Sequence, residues 1–232
     1  MKKITTILII LLFATEAKTQ DNGFIIFSTG PSIPVGDFSS KSPYVEAAGY
    51  AENGWNYDLS FGIKTGKYLG VIVGLKSFNF SLNYNNFCEY NKKLNNLVRF
   101  AWEADNISQI GIFSGLYGQF SLSKRFIFET KNQIGILSIN LPEETYSIQS
   151  YYSFNKNHIE SQQKYAFAID FECAMRYKIS RICCLLLNFS YIKSGVEFSN
   201  REFSYTNGAG GYLLTKKEIE FISLNLGLGF NL

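Results

Sequence analysis

The sequence is poor in the residues that do chemistry and in those that break strands. It holds one histidine, His158, and 4 prolines in 232 residues. Proline cannot donate to a β-ladder, so its scarcity leaves long stretches free to pair. The four cysteines, Cys88, Cys173, Cys183 and Cys184, match no zinc-ligand spacing. None precedes Cys88, which excludes a lipidated cysteine near the start. Beyond the first residues no stretch approaches eighteen continuous apolar side chains, so no spanning helix is expected. Charge of one sign is also missing. The formal net charge is +3, from 22 basic and 19 acidic residues. That balance argues against a nucleic-acid partner, which calls for a basic face.

The start of the chain has the character of an export signal. Lys2 and Lys3 precede an apolar run from Ile4 to Phe13, and a small, polar stretch follows to Gln20. Ten helical residues span about 15 Å, half a bilayer core, so this is a cleavable leader and not an anchor. The expected division is a signal peptide over 1–20 and one domain over 21–232. Losing Lys2, Lys3, Lys18 and Glu16 takes three bases and one acid away, leaving 19 and 18. An exported chain without a spanning helix is either soluble or a closed barrel.

What the sequence has in quantity is aromatic residues, 15 Tyr and 21 Phe among them, and alternation. From 222 to 232 the even positions are Ile222, Leu224, Leu226, Leu228, Phe230 and Leu232, while the odd ones are small or polar. Successive side chains of a strand point to opposite faces, so one face is apolar and the other is not. The pattern recurs along eight segments, of which the first, 24–30, is the least regular. Three connections are short, around 65–68, 123–125 and 178–181. Four are long, at roughly 31–54, 84–105, 140–164 and 199–216, and the two kinds alternate. This spacing predicts an all-β fold: an eight-stranded antiparallel up-and-down transmembrane β-barrel with short periplasmic turns and long extracellular loops. The apolar faces would meet lipid.

The other faces would then be enclosed. They carry Asp58, Lys64, Lys76, Glu129, Lys131, Asp170, Glu172 and Arg176, four acids and four bases. An eight-stranded barrel is just wide enough for inner side chains to fill it, and balanced charges there can pair. Aromatics near strand ends suit two interfacial girdles. Trp55, Tyr57, Tyr84, Trp102, Tyr165 and Tyr191 fall on the long-loop side, and Tyr68, Phe120, Phe126, Tyr177 and Phe230 on the short-turn side.

The C-terminal run Asn-Leu-Gly-Leu-Gly-Phe-Asn-Leu resembles the outer-membrane β-signal, with Asn225, Gly227, Phe230 and Leu232 at its polar, glycine, aromatic and final hydrophobic positions. A terminal Leu stands where Phe is most usual. The stretches 30–38, GPSIPVGDF, and 115–126, GLYGQFSLSKRF, are similar to those of the porin-family outer-membrane β-barrel domain, the small OmpA/OmpX-like class. The resemblance implies location in a Gram-negative outer membrane, contact with its lipids and insertion by the β-barrel assembly machinery.

No chemistry is expected. Lipid-A deacylases of this barrel class carry a His-x-Ser pair on a strand, whereas Ser161 follows His158 by three residues in a polar segment. The run from Asn207 to Gly211 lacks P-loop and dinucleotide spacing. No cofactor, metal or catalytic residue is assigned. Asp170 and Glu172 share a face, and Arg176 and Lys131 favour a charge network over a hydrolytic pair. A disulfide joining Cys173 to Cys183 or Cys184 stays open. The expected role is structural or surface interaction, through loops bearing Tyr151, Tyr152, Phe154, Phe198, Phe203 and Tyr205. A narrow channel for small solutes and a soluble lipocalin-like carrier are the alternatives.

Overall fold

The computed structural model describes residues 23–42, 44, 48–94, 99–149, 154–205 and 210–232. The expected leader, Tyr151, Tyr152 and residues 207–209 of the glycine run lie outside the described residues, as do the side chains of Phe203 and Tyr205. Eight strands form the barrel: β1 (Gly23–Pro34), β2 (Ala51–Lys64), β3 (Leu69–Leu82), β5 (Ile107–Ser121), β6 (Phe126–Leu141), β9 (Gln162–Lys178), β10 (Cys183–Tyr205) and β11 (Gly210–Asn231). Each pairs antiparallel with the next, and β1 pairs with β11, so the sheet closes and leaves no barrel edge. The 14 residues of β2 extend about 45 Å, enough for a tilted crossing of a ~25 Å apolar band.

The faces settle which solvent the barrel meets. Leu224, Leu226 and Leu228 are 49%, 68% and 43% exposed on the outer wall, while Asp170, Glu172 and Arg176 are at most 2% exposed inside. Leu59, Val71, Val73, Ile112, Leu116, Ile134 and Phe167 continue the outer apolar belt. A water-soluble barrel would have the reverse arrangement. This is a transmembrane β-barrel, and the soluble-carrier alternative fails on the same observation.

The polarity pattern inverts partway along the strands. On β3, Leu69, Val71, Val73 and Leu75 face out; three residues further, Phe78 and then Phe80 are buried inside and Asn79 is exposed. On β6, outward Ile134 and Ile136 give way to inward Leu137, Ile139 and Leu141. The same change separates Leu224 from the inward Phe221 and Ile219 on β11. Side-chain direction does not change along a strand; the surroundings do. Beyond the belt the barrel emerges into water and keeps an ordinary apolar core.

The connections at this emerging end, the loop end, are structured. They contain α1 (Gly36–Ser39), α2 (Asn85–Leu94), β4 (Arg99–Ala104), β7 (Glu144–Gln149) and β8 (Phe154–Ile159). β4, β7 and β8 pair in that order and join the top of β10, where Ser204 faces His158. The expected fourth long connection, 199–216, is instead mostly strand: β10 and β11 stay paired out to Ser204 and Gly210, with one bulge between Phe198 and Arg201. Its polar, glycine-rich composition hides this ladder. At the opposite, turn end, Thr65, Leu122 and Ile179 N–H each donate to the carbonyl of the first residue of the next strand, Leu69, Phe126 and Cys183.

Candidate functional site

The interior is the most organised part of the molecule, and strand register builds it. Asp58 on β2 faces Lys76 on β3, and Lys131 on β6 faces Glu172 on β9. Alternation keeps Asp170, Glu172 and Arg176 on one side of β9. Lys76 Nζ lies 2.5 Å from Asp170 Oδ2 and 3.5 Å from Asp58 Oδ2, and it also pairs with Glu172. Lys131 Nζ is 2.7 Å from the other Glu172 oxygen. Asn188 and Gln133 donate to Glu172 at 2.8 and 2.9 Å. Nearer the turn end, Arg176 Nη2 sits 2.8 and 3.0 Å from the two Glu129 oxygens, with its guanidinium 4.5 Å from the centre of the Phe24 ring.

Seven of the eight sequence-selected charges therefore meet inside: four carboxylates and three cations. The eighth, Lys64, ends β2 at the turn end and is half-buried. Beside the charges runs a neutral polar ladder. Asn56 Nδ2 donates to Gly30 O, Ser32 Oγ and Asn225 Oδ1 at 2.8–2.9 Å. Asn225 and Gly227 of the C-terminal pattern thus face inward, while Phe230 and Leu232 face out.

Two apolar layers enclose this charged one. At the turn end Phe24, Ile26, Ile72, Tyr117, Ala174 and Leu186 pack together. Phe24 and Tyr117 meet edge to face at 5.1 Å. They fit because Gly62 and Gly70 lie beside them, where a Cβ would come within 2.3 Å of each ring. At the loop end Phe78, Phe80, Leu137, Ile139 and Phe221 are joined by Phe38 of α1, fully buried and 5.1 Å from Phe80. Gly36, at φ 58, turns the chain back so that α1 stoppers the mouth. Gly49 N–H donates to Asp37 O at 2.7 Å, and a Cβ on Gly49 would strike the Phe38 backbone. The sequence reading missed this stopper and the loop-end apolar layer. The signal was present in the changed phase of residues 76–82.

Outside the mouth lies an aromatic cluster. Tyr84 stacks on Trp102 at 4.4 Å, Phe87 of α2 meets Trp102 edge-on, and Tyr50 lies 4.8 Å from Tyr84. Glu144 accepts from Trp102 Nε1 at 3.0 Å and Tyr84 Oη at 3.3 Å. Burial pushes the Tyr50 hydroxyl and the Cys88 thiol above their ordinary pKa values. Tyr84 and Trp102 thus belong to this cluster and not to a lipid-facing girdle, whereas Trp55, Tyr57 and Tyr165 remain on the outer wall. Half-buried His158 lies 3.2 Å from Glu143, which precedes β7, and Ser161 is beyond the end of β8. Cys173 is exposed on the outer face and Cys184 is buried inside. Cys184 faces Lys178 on β9, five residues or about 17 Å from Cys173, and all four cysteines are free. Among the described residues no three His, Cys, Asp or Glu side chains group as a metal site.

No protein-family model matches the chain, and comparison with curated proteins gives no match. The solved structures it resembles include Neisserial surface protein A, at 9% identity and TM-score 0.49, over 90% of this chain and 97% of the other. A major outer membrane protein from Thermus thermophilus is 10% identical, with TM-score 0.48 over 90% and 99%. Ail, the attachment invasion locus protein of Yersinia pestis, is 10% identical, with TM-score 0.41 over 91% and 99%. Likeness at this level adds nothing to what the barrel's own faces and closure establish.

Proposed function

We propose that the chain is an integral outer-membrane protein of Gram-negative bacteria whose role is structural or one of surface interaction, with a filled, non-conducting interior and no catalytic site. The observation that carries this reading is the belt of exposed apolar side chains around a buried ion-pair network closed by apolar layers at both ends. Only a closed barrel satisfies every backbone group of a strand-built chain in lipid. Such a barrel displays a crown, α2 with β4, β7, β8 and the β10–β11 hairpin, above the belt. Half-buried Trp102 and exposed Phe154 are the residue types that anchor contacts. On this reading residues 1–20 direct export. Asn225, Gly227, Phe230 and Leu232 are read by the β-barrel assembly machinery, and outer-membrane lipids cover the belt.

Fractionation and planar-bilayer recording test the proposal. The protein should sediment with the outer membrane, resist carbonate extraction and show heat-modifiable gel mobility. Reconstituted protein should give no steady conductance. Recovery from the periplasmic soluble fraction would defeat the membrane assignment, and a persistent open current would favour the channel.

A further inference from the structure

The two ends of the barrel differ in charge. The three tight turns and the strand residues that flank them carry Lys64, Lys67, Lys124, Arg125, Lys178 and Arg181. Among the described residues no acidic side chain faces outward at that end. Glu129, the acid closest in sequence to a turn, points into the barrel and pairs with Arg176. At the loop end, by contrast, acids and bases are mixed, as in Lys41–Glu52 at 2.8 Å and the Lys193–Glu220 pair. The near-neutral net charge of the chain conceals this separation.

The turn-end cations sit against the lower rim of the apolar belt. Lys178 N–H donates to Arg125 O at 2.8 Å, which ties two neighbouring turns together. Arg125 Nη1 donates to the Tyr177 hydroxyl at 3.1 Å. Lys124, Arg125 and Arg181 therefore occupy one sector, next to outward Phe126, Ile179 and Ile182, while half-buried Lys178 shares the inner face of β9 with Arg176. Around the rim, Lys67 Nζ lies 5.0 Å from the centre of the Tyr68 ring, which stacks on Phe120. Cations placed at the border of an aromatic and aliphatic wall stand at headgroup level, where the negative phosphodiester of a lipid meets them while its chains lie on the wall. Free phosphate offers the same charge without chains to cover Phe126, Ile179 and Ile182.

The geometry points to an anionic-phospholipid contact at the turn end. Lys124, Arg125 and Arg181 hold the phosphodiester headgroups of lipids such as phosphatidylglycerol in the leaflet that the turns face. This rests on the membrane-barrel reading above and names the lipid class for that barrel.

The test uses the full chain folded into mixed phosphatidylcholine–phosphatidylglycerol vesicles, with retained lipids counted by native mass spectrometry after mild extraction. Phosphatidylglycerol should be enriched over bulk on the order of five-fold or more, and added salt should reduce the enrichment. The K124Q/R125Q/R181Q variant should lose it while keeping heat-modifiable mobility, and a loop-end K41Q/K92Q/K93Q variant should retain it. Should the threefold variant fail to fold, the salt series on the unaltered chain decides instead. No enrichment, enrichment unmoved by salt, or equal enrichment in both variants overturns the inference. So does inorganic phosphate retained by the barrel in neutral vesicles with no lipid selectivity. A chain that inserts into neither vesicle type defeats the membrane reading itself; one that inserts without selectivity defeats only the lipid contact.

Discussion

Lys76 is the side chain on which the interior depends, because three carboxylates converge on its one ammonium group. Removing one partner of a buried ion pair leaves charge uncompensated at low dielectric, which costs about 3–5 kcal/mol. Lys76→Met should destabilise the folded barrel by that order, measured as a shift in its urea or guanidinium unfolding midpoint in lipid vesicles. Asp58→Asn should cost less. Its carboxylate is the more distant partner of Lys76, and four acids face three bases, so losing one acid evens the count. Equal losses in the two variants would contradict this account of the network. Outside, Leu226 is the most exposed leucine of its strand's belt. Leu226→Lys should weaken insertion by about 2–4 kcal/mol if it lies near mid-bilayer, read as loss of heat-modifiable protein on refolding into vesicles.

At the scale of elements, the outward face of each barrel strand was legible because lipid demands an apolar residue at every second position. The residues that pair inside, Asp58 with Lys76 and Lys131 with Glu172, were legible as one face but not as partners, since register depends on neighbouring strands. The loop-end layer was hidden for another reason. At Phe78 and Phe80 the apolar residues switch to the inner face as the strand leaves lipid, and a single-phase pattern treats that switch as irregularity or loop. The stopper α1 has only four residues and no period of its own; tertiary packing of Phe38 against Phe80 and the return of Gly49 define it. Phe38→Ala should cost about 3–5 kcal/mol for a fully buried aromatic, again read by denaturant unfolding. Register also separates the cysteines. In the folded barrel a lipid-soluble maleimide should label Cys173 and spare Cys184, and mobility without reductant should not change on adding it. A crosslink between the two would require β9 to slide past β10.

For the molecule as a whole, the inversion of polarity means that one barrel is solvated twice, by hydrocarbon below the switch and by water above it. The two tryptophans report on the two regions. Trp55 is half exposed on the outer wall at the top of the belt, its Nε1 held by Thr29 Oγ1 at 2.7 Å. Trp102 lies in the aromatic cluster beyond the mouth, stacked on Tyr84. Interfacial tryptophans prefer headgroup level, where an apolar ring and a polar N–H are both accommodated. In vesicles of brominated lipids, the W102F variant, which keeps only Trp55, should be quenched most by bromines high on the acyl chains and less by those near the bilayer centre. The W55F variant, which keeps only Trp102, should show little quenching by either. Strong quenching of Trp102 would sink the crown into the membrane and remove the division on which the apolar loop-end core depends. An unquenched Trp55 would place the belt's upper margin below it and shorten the span of strand that lipid covers.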